Sequence, residues 1–223
     1  MKLINAFKIQ KLDFLISIYI ACIVMSELMG SKTFPLLSIG SIKLSASVAI
    51  FFIPLVYSIN DVITEVFGKA KAQSIVRSGL VMIFFLLIFS LLAVSLPATT
   101  RFMPLEKSYE QIFTFSARIS AASLIAFTIG EFSDVFIFFK IRQRLGKRAL
   151  WFRTNASNFL SEFLDTFIFI TLAFYAFDKP LASNFSFLFG LILPYWFLKC
   201  CMSIIETPLV YVGVKWLRWG QNK

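Results

Sequence analysis

Apolar and polar positions alternate along the chain in long blocks. Six apolar stretches, at about 12–31, 44–64, 78–97, 117–139, 159–177 and 185–214, each approach or exceed the ~20 residues that a helix needs to cross a ~30 Å hydrocarbon layer. The last is long enough to bend, and Pro194 and Pro208 within it mark kink points. The pattern predicts an all-α integral membrane protein of six transmembrane helices, forming a single transmembrane domain over residues 1–223. Lysines precede the first apolar stretch, as in a signal peptide. That stretch is too long, carries Glu27 and lacks a small-residue cleavage site, so it is expected to remain as the first helix.

The polar exceptions inside these stretches carry the chemistry. Of twelve acidic residues, eight are set among the spans: Glu27, Asp61, Glu65, Glu131, Asp134, Glu162, Asp165 and Glu206. An ionised side chain at mid-helix costs ~2.5 to 3.5 kcal/mol on insertion scales, so such acids imply a partner, a proton or a wet cavity. Glu27 and Glu206 are expected near helix ends and water. Four of the others come from a phrase written twice, "EFSDVFIFF" at 131–139 and "EFLDTFIFI" at 162–170. The two copies fall on consecutive helices that cross in opposite directions, the mark of an inverted repeat, where transporters place substrate sites at the repeat interface.

Helical phase groups these acids. At about 100° per residue, Ser120, Ser123, Phe127, Glu131 and Asp134 share one stripe, as do Asn155, Asn158, Glu162, Asp165 and Phe169. Phe51, Pro54, Ser58, Asp61 and Glu65 align on the second span, and Lys199, Ser203 and Glu206 on the last. The simplest packing turns the four stripes toward a shared interior and leaves Phe, Leu, Ile and Ala to the lipid. Counting rise from the span ends brings Asp61, Glu131, Glu162, Asp165 and Lys199 to the cytoplasmic half of the membrane.

Composition narrows the possibilities. Hydrophobic residues make up 58% of the chain and charged residues 15%, beyond what a soluble fold hides. The net charge of +10 invites a nucleic-acid reading, but its placement reads as topology. With the N-terminus inside, fifteen basic residues are cytoplasmic and six external (Lys32, Lys43, Arg101, Lys107, Arg118 and Lys179), and Lys199 lies within the last span. That imbalance predicts two cytoplasmic termini and no nucleic-acid partner. The chain has no histidine, which excludes Ser-His-Asp and Cys-His nucleophiles, His-liganded zinc and Glu-x-x-His di-iron sites. Its three cysteines sit in apolar spans without ligand spacing, and neither a phosphate loop nor a G-x-G-x-x-G motif is present. No cofactor, metal or enzymatic activity is expected.

Three ordered stretches, "FFIPLVYSINDVITEVFGKAKAQSIV" (51–76), "ARISAASLIAFTIGEFSDVFIF" (117–138) and "LWFRTNASNFLSEFLDTFIFITLAF" (150–174), resemble the vitamin uptake transporter family, whose characterised members carry queuosine precursors. The resemblance implies a six-helix inner-membrane carrier that imports 7-deazaguanine bases for tRNA modification. Its matching positions are Asp61, Glu65, Gly68, Arg118, Ser123, Asp134, Arg153, Ser157 and Asp165, with Lys199 at a basic position of the last span. Glu131 and Glu162 depart from the pattern, which places an amide there. The candidate substrate-binding set is therefore Asp61, Glu65, Arg118, Ser123, Phe127, Glu131, Asp134, Glu162, Asp165 and Lys199, the two extra acids being either protonated or paired with Lys199 or Arg118. A carboxylate can accept the adjacent N–H donors of a guanine-like base, whose flat face stacks on aromatic rings.

The substrate is then a small purine-like molecule handled within a lipid bilayer. The residues leave open proton or sodium coupling and self-association. Two rival functions use the same residues. A membrane subunit that binds substrate for a separate ATP-driven module would also lack a nucleotide site. An intramembrane aspartyl protease would face Asp134 against Asp165, but the Gly-x-Gly-Asp motif of such proteases is replaced by "EFSD" and "EFLD".

Overall fold

A computed structural model of the chain describes residues 9–39, 42–145 and 150–219. The basic residues Lys2, Lys8, Lys147, Arg148 and Lys223 lie outside the described residues. Within them the architecture is helical apart from one β-hairpin. Helix α1 (Lys11–Met29) leads through strands β1 (Thr33–Ile39) and β2 (Ile42–Ser47) and a 3₁₀ turn (Val48–Phe51) into α2 (Ile53–Phe67). Helices α3 (Lys69–Ser95), α4 (Met103–Leu145), α5 (Leu150–Phe174) and α6 (Leu181–Arg218) follow.

Five stretches of the described residues are long and apolar enough to cross a membrane: Lys11–Met29, Val48–Phe67, Ala70–Ser95, Met103–Gly130 and Leu181–Cys201. The chain is thus a mostly helical, multi-pass membrane protein. Its outer surface agrees, because α3 exposes Val81, Phe84, Phe85, Ile88, Phe89 and Leu92, a face that water would disfavour and lipid accepts.

The elements depart from the hydropathy pattern at two places. Residues 44–47, placed by hydropathy in the second span, are the end of β2, and the helix starts only at Ile53. Antiparallel pairing of Thr33 with Ser47 and Phe34 with Ala46 gives the β-branched and apolar residues here a ladder instead. Pro54 then sits in the first turn of α2, where the missing N–H costs nothing. The second departure is α4, which begins at Met103, well before the expected 117, with Pro104 and Glu106 in its first turn. At 43 residues it runs ~65 Å, about twice the hydrocarbon thickness.

Side-chain bonds fix how the helices meet. Ser47, the last residue of β2, is buried; its hydroxyl donates to Gly30 O (2.6 Å) and accepts from Ala49 N (3.1 Å). The Tyr195 hydroxyl of α6 closes the same knot, accepting from Ser47 N and donating to Ser47 O, each at 3.0 Å. At the other end of the bundle the Lys11 ammonium donates to the carbonyls of Trp216 and Trp219, joining the start of α1 to the end of α6. Asn184 secures the α5–α6 connection, donating to the carbonyls of Ala176 (2.7 Å) and Lys179 (3.1 Å) and accepting from Ala176 N.

Candidate functional site

All six helices contribute one face to a cavity of about 430 Å³, within the range of small-molecule sites. The faces keep helical spacing. Tyr19, Ile23, Glu27 and Gly30 line it from α1; Ile53, Val56, Tyr57 and Asn60 from α2; Val76, Gly79, Leu80 and Ile83 from α3. Helix α4 adds Ile119, Ser123, Ala126 and Phe127, α5 adds Asp165, Thr166 and Phe169, and α6 adds Tyr195 and Lys199. Gly79 marks the close approach of α1 to α3, since a Cβ there would stand 2.7 Å from Ile23 Cδ1 and displace the end of that side chain. Ser47 of the hairpin also reaches the wall.

The wall is apolar and aromatic with a few converging polar groups. Lys199 Nζ donates to Asp165 Oδ2 at 2.5 Å, joining α6 to α5, with the lysine side chain 12% exposed and the aspartate 29%. Glu162, one turn earlier, is an electrostatic neighbour of both. Gly130 of α4 backs the aspartate: a Cβ there would stand 3.4 Å from Asp165 Cβ, so the two helices meet closely at the carboxylate. Elsewhere on the wall, Glu27 is only 5% exposed. Its Oε2 accepts from the Ser120 hydroxyl at 3.1 Å. Asn60 Oδ1 and Thr166 Oγ1 also belong to residues of this wall and have no hydrogen-bond partner among the described residues. Buried polar atoms left in this way are satisfied by ligand or water.

Of the residues expected from the sequence to bind substrate, Ser123, Phe127, Asp165 and Lys199 line the cavity together. The side chains of Glu131 and Asp134 lie outside the described residues, as does that of Glu206. Glu162 is half-buried beside the ion pair but is not on the wall. Lys199 takes Asp165 as its hydrogen-bonding partner, with Glu162 as an electrostatic neighbour.

The other three residues stand elsewhere. Asp61 and Glu65 are exposed, and Glu65 meets Arg218 across 3.6 Å at the surface. The cavity face of α2 is the 53/56/57/60 row, turned away from the 54/58/61/65 stripe. Arg118 caps the end of α5: Nε donates to Leu172 O (2.8 Å) and Nη2 to Tyr175 O (2.6 Å), where a cation meets the negative end of a helix. Its guanidinium also lies 5.8 Å from the Phe177 ring centre.

Glu27 is the principal correction. The sequence places it near water at a helix end; it does stand two residues from the end of α1, but it faces α4, where Ser120 bonds it, and is only 5% exposed. Tyr57, Asn60, Thr166 and Tyr195 also went unmarked in the sequence. Only Thr166 had a signal, its place beside Asp165 in the repeated phrase.

An apolar, aromatic-walled cavity with a lysine–aspartate pair, a second buried carboxylate and two unmet polar atoms suits a small, flat, polar-edged molecule. Comparisons with known proteins agree in kind. The chain is 30% identical over 166 residues to the "Probable queuosine precursor transporter" of Bacillus subtilis (strain 168), covering 72% of this chain and 68% of that protein. It is 29% identical over 128 residues to the protein of the same name in Haemophilus influenzae, covering 57% of this chain and 51% of the relative. It is 27% identical over 128 residues to the "Queuosine precursor transporter" of Escherichia coli (strain K12), covering 56% and 53%. The chain therefore aligns with about half the length of these last two relatives. No solved structure matches the chain. Residues 47–213, well over half of the chain, match the model of a family described as "Putative vitamin uptake transporter". The chain belongs to the vitamin uptake transporter family.

Proposed function

We propose that the protein is an inner-membrane carrier that imports 7-deazaguanine bases, the precursors of queuosine, for tRNA modification. The observation that carries this reading is the cavity itself, to which every helix of the bundle contributes and in which Asp165, Lys199, Ser123, Phe127 and Phe169 converge. The relatives named as queuosine precursor transporters support the substrate class. A deazaguanine offers a flat bicyclic ring to Phe127, Phe169 and the tyrosines, and hydrogen-bonding edges to the carboxylates, Asn60 and Thr166. No step of bond making or breaking is involved: the site binds, desolvates and releases.

All six helices cross the membrane in this reading, with both termini cytoplasmic. Lys11 bonding to Trp216 and Trp219 keeps the first and last helices together at the terminal end, and the excess of basic residues between α4 and α5 holds that connection on the same side. The paired Glu-x-x-Asp phrases are two halves of an inverted repeat, of which Asp165 faces the cavity.

The test is genetic and chemical together. Cells unable to make queuosine precursors, and lacking their own importer, are given this chain and fed each base at low concentration, and their tRNA is assayed for queuosine. Restored queuosine with one or more bases is expected. Its absence with all of them, in cells that contain the protein in the membrane, would overturn the assignment.

A further inference from the structure

Resting on the transport reading above, we propose that Glu27 is the residue that selects a 2-amino purine-type edge, accepting the ring N–H and the exocyclic amino group of the base side by side. The argument begins with the cavity's charges. Its wall carries two carboxylates among the described residues, Glu27 and Asp165, and one cation, Lys199. Lys199 is bonded to Asp165, which leaves that carboxylate compensated before any ligand arrives. Among the described residues Glu27 has no cation against it: its hydrogen-bonding partner is the Ser120 hydroxyl of α4, and the cavity it lines supplies the remaining polar contact.

The hydrogen-bonding capacity of that group is the second step. A carboxylate offers about four lone-pair directions, and the Ser120 hydroxyl occupies one of them. The others remain on a side chain that is 5% exposed and whose residue lines the cavity. Ser120 holds the carboxylate from α4, so it is pre-oriented for a ligand. Two parallel acceptors match two parallel donors, the geometry that a 2-amino-4-oxo pyrimidine ring presents and that its 2-desamino analogue lacks. Phe127, four residues beyond Ser123 on α4, and Tyr19, two turns before Glu27 on α1, supply aromatic surface on the same wall.

Asp165 has the complementary duty. Its pairing with Lys199 joins α5 to α6 and sets a local dipole, which suits a carbonyl or ring nitrogen of the ligand on the lysine side. Selection by Glu27 and anchoring by the Asp165–Lys199 pair are therefore separable by mutation.

The experiment measures binding of 7-deazaguanine and of 7-deazahypoxanthine, which lacks only the 2-amino group, to the purified full-length chain in detergent. The wild-type protein is expected to prefer 7-deazaguanine by on the order of 10- to 100-fold, as a bidentate edge contact does elsewhere. Glu27→Gln presents an N–H where the second oxygen stood. It should weaken 7-deazaguanine binding by about the same factor while changing 7-deazahypoxanthine binding less than about threefold, so the preference collapses. Equal binding of the two bases by the wild-type chain would overturn the proposal even if Glu27→Gln failed to fold. A preference that survives in folded Glu27→Gln, or that is lost instead in Asp165→Asn, would also overturn it. Binding of neither base by the wild-type chain would refute the transport reading itself and remove the basis of this one.

Discussion

Breaking the lysine–aspartate contact should cost stability, and removing both partners should restore it. In Asp165→Asn the Lys199 ammonium, 12% exposed, loses a carboxylate oxygen 2.5 Å away and gains an amide that neutralises nothing. Removing one partner of a fully buried pair costs about 3 to 5 kcal/mol. Asp165 keeps 29% of its side chain open to the cavity, so screening lowers the expectation to about 2 to 4 kcal/mol. At roughly 2 to 4 °C per kcal/mol for a chain of this size, the melting temperature should fall by about 4 to 16 °C. Lys199→Met combined with Asp165→Asn removes both charges of the contact, leaving only the half-buried Glu162 beside it, and should return to within about 1 kcal/mol of wild type. Uptake should be lost in both variants, because the site needs the pair as well as the fold. The assay is thermal unfolding of detergent-purified protein beside initial uptake rate normalised to membrane protein. An Asp165→Asn protein as stable as wild type, or a double mutant less stable than the single one, would refute the reasoning.

Other substitutions separate wall from scaffold. Glu162→Gln should keep uptake within about threefold of wild type, since Glu162 neighbours the pair without lining the cavity and Gln retains its hydrogen-bonding shape; transport assays decide it. Arg118→Gln uncaps the carbonyls of Leu172 and Tyr175 and should lower stability by about 1 to 3 kcal/mol while leaving KM unchanged, so a raised KM with normal stability would contradict the capping role. Tyr195→Phe strands the buried backbone N–H and C=O of Ser47 and should cost about 1 to 3 kcal/mol, with faster amide exchange at the hairpin as its signature. Reporters fused after Lys107 and after Arg148 should label outside and inside respectively; the reverse pattern would invert the orientation of the whole bundle.

How far the residues alone could carry the structure depends on the kind of signal they hold. Long apolar runs locate helices well because lipid demands them, and the cores of α1, α3 and α6 sit within or across the stretches that hydropathy marks. Hydropathy does not separate a strand from the start of a helix, so "LSAS" before "VAIFFIPLV" merged into one span while the chain pairs it with residues 33–37. Phase is similarly partial. Polarity on α5 and α4 correctly aims Asp165 and Ser123 inward, because mid-helix polar groups need an interior. On α2 the acids lie toward the helix end, where Glu65 meets Arg218 at the surface, and the inward row holds Tyr57 and Asn60 instead. Glu27 was obscured because its burial comes with the packing of α1 beside α4, where Ser120 bonds it, a tertiary event that no local pattern records.

The contribution of α1 to the cavity has an evolutionary consequence. The stretch that matches the family begins at residue 47, whereas Tyr19, Ile23, Glu27 and Gly30 lie before it. The family-defining segment therefore holds five walls of the chamber and the ion pair, and the sixth wall comes from a helix outside it. If Glu27 selects the ligand edge as proposed, replacing residues on that one face of α1 changes what the chamber prefers while the matched segment, with its ion pair, stays as it is.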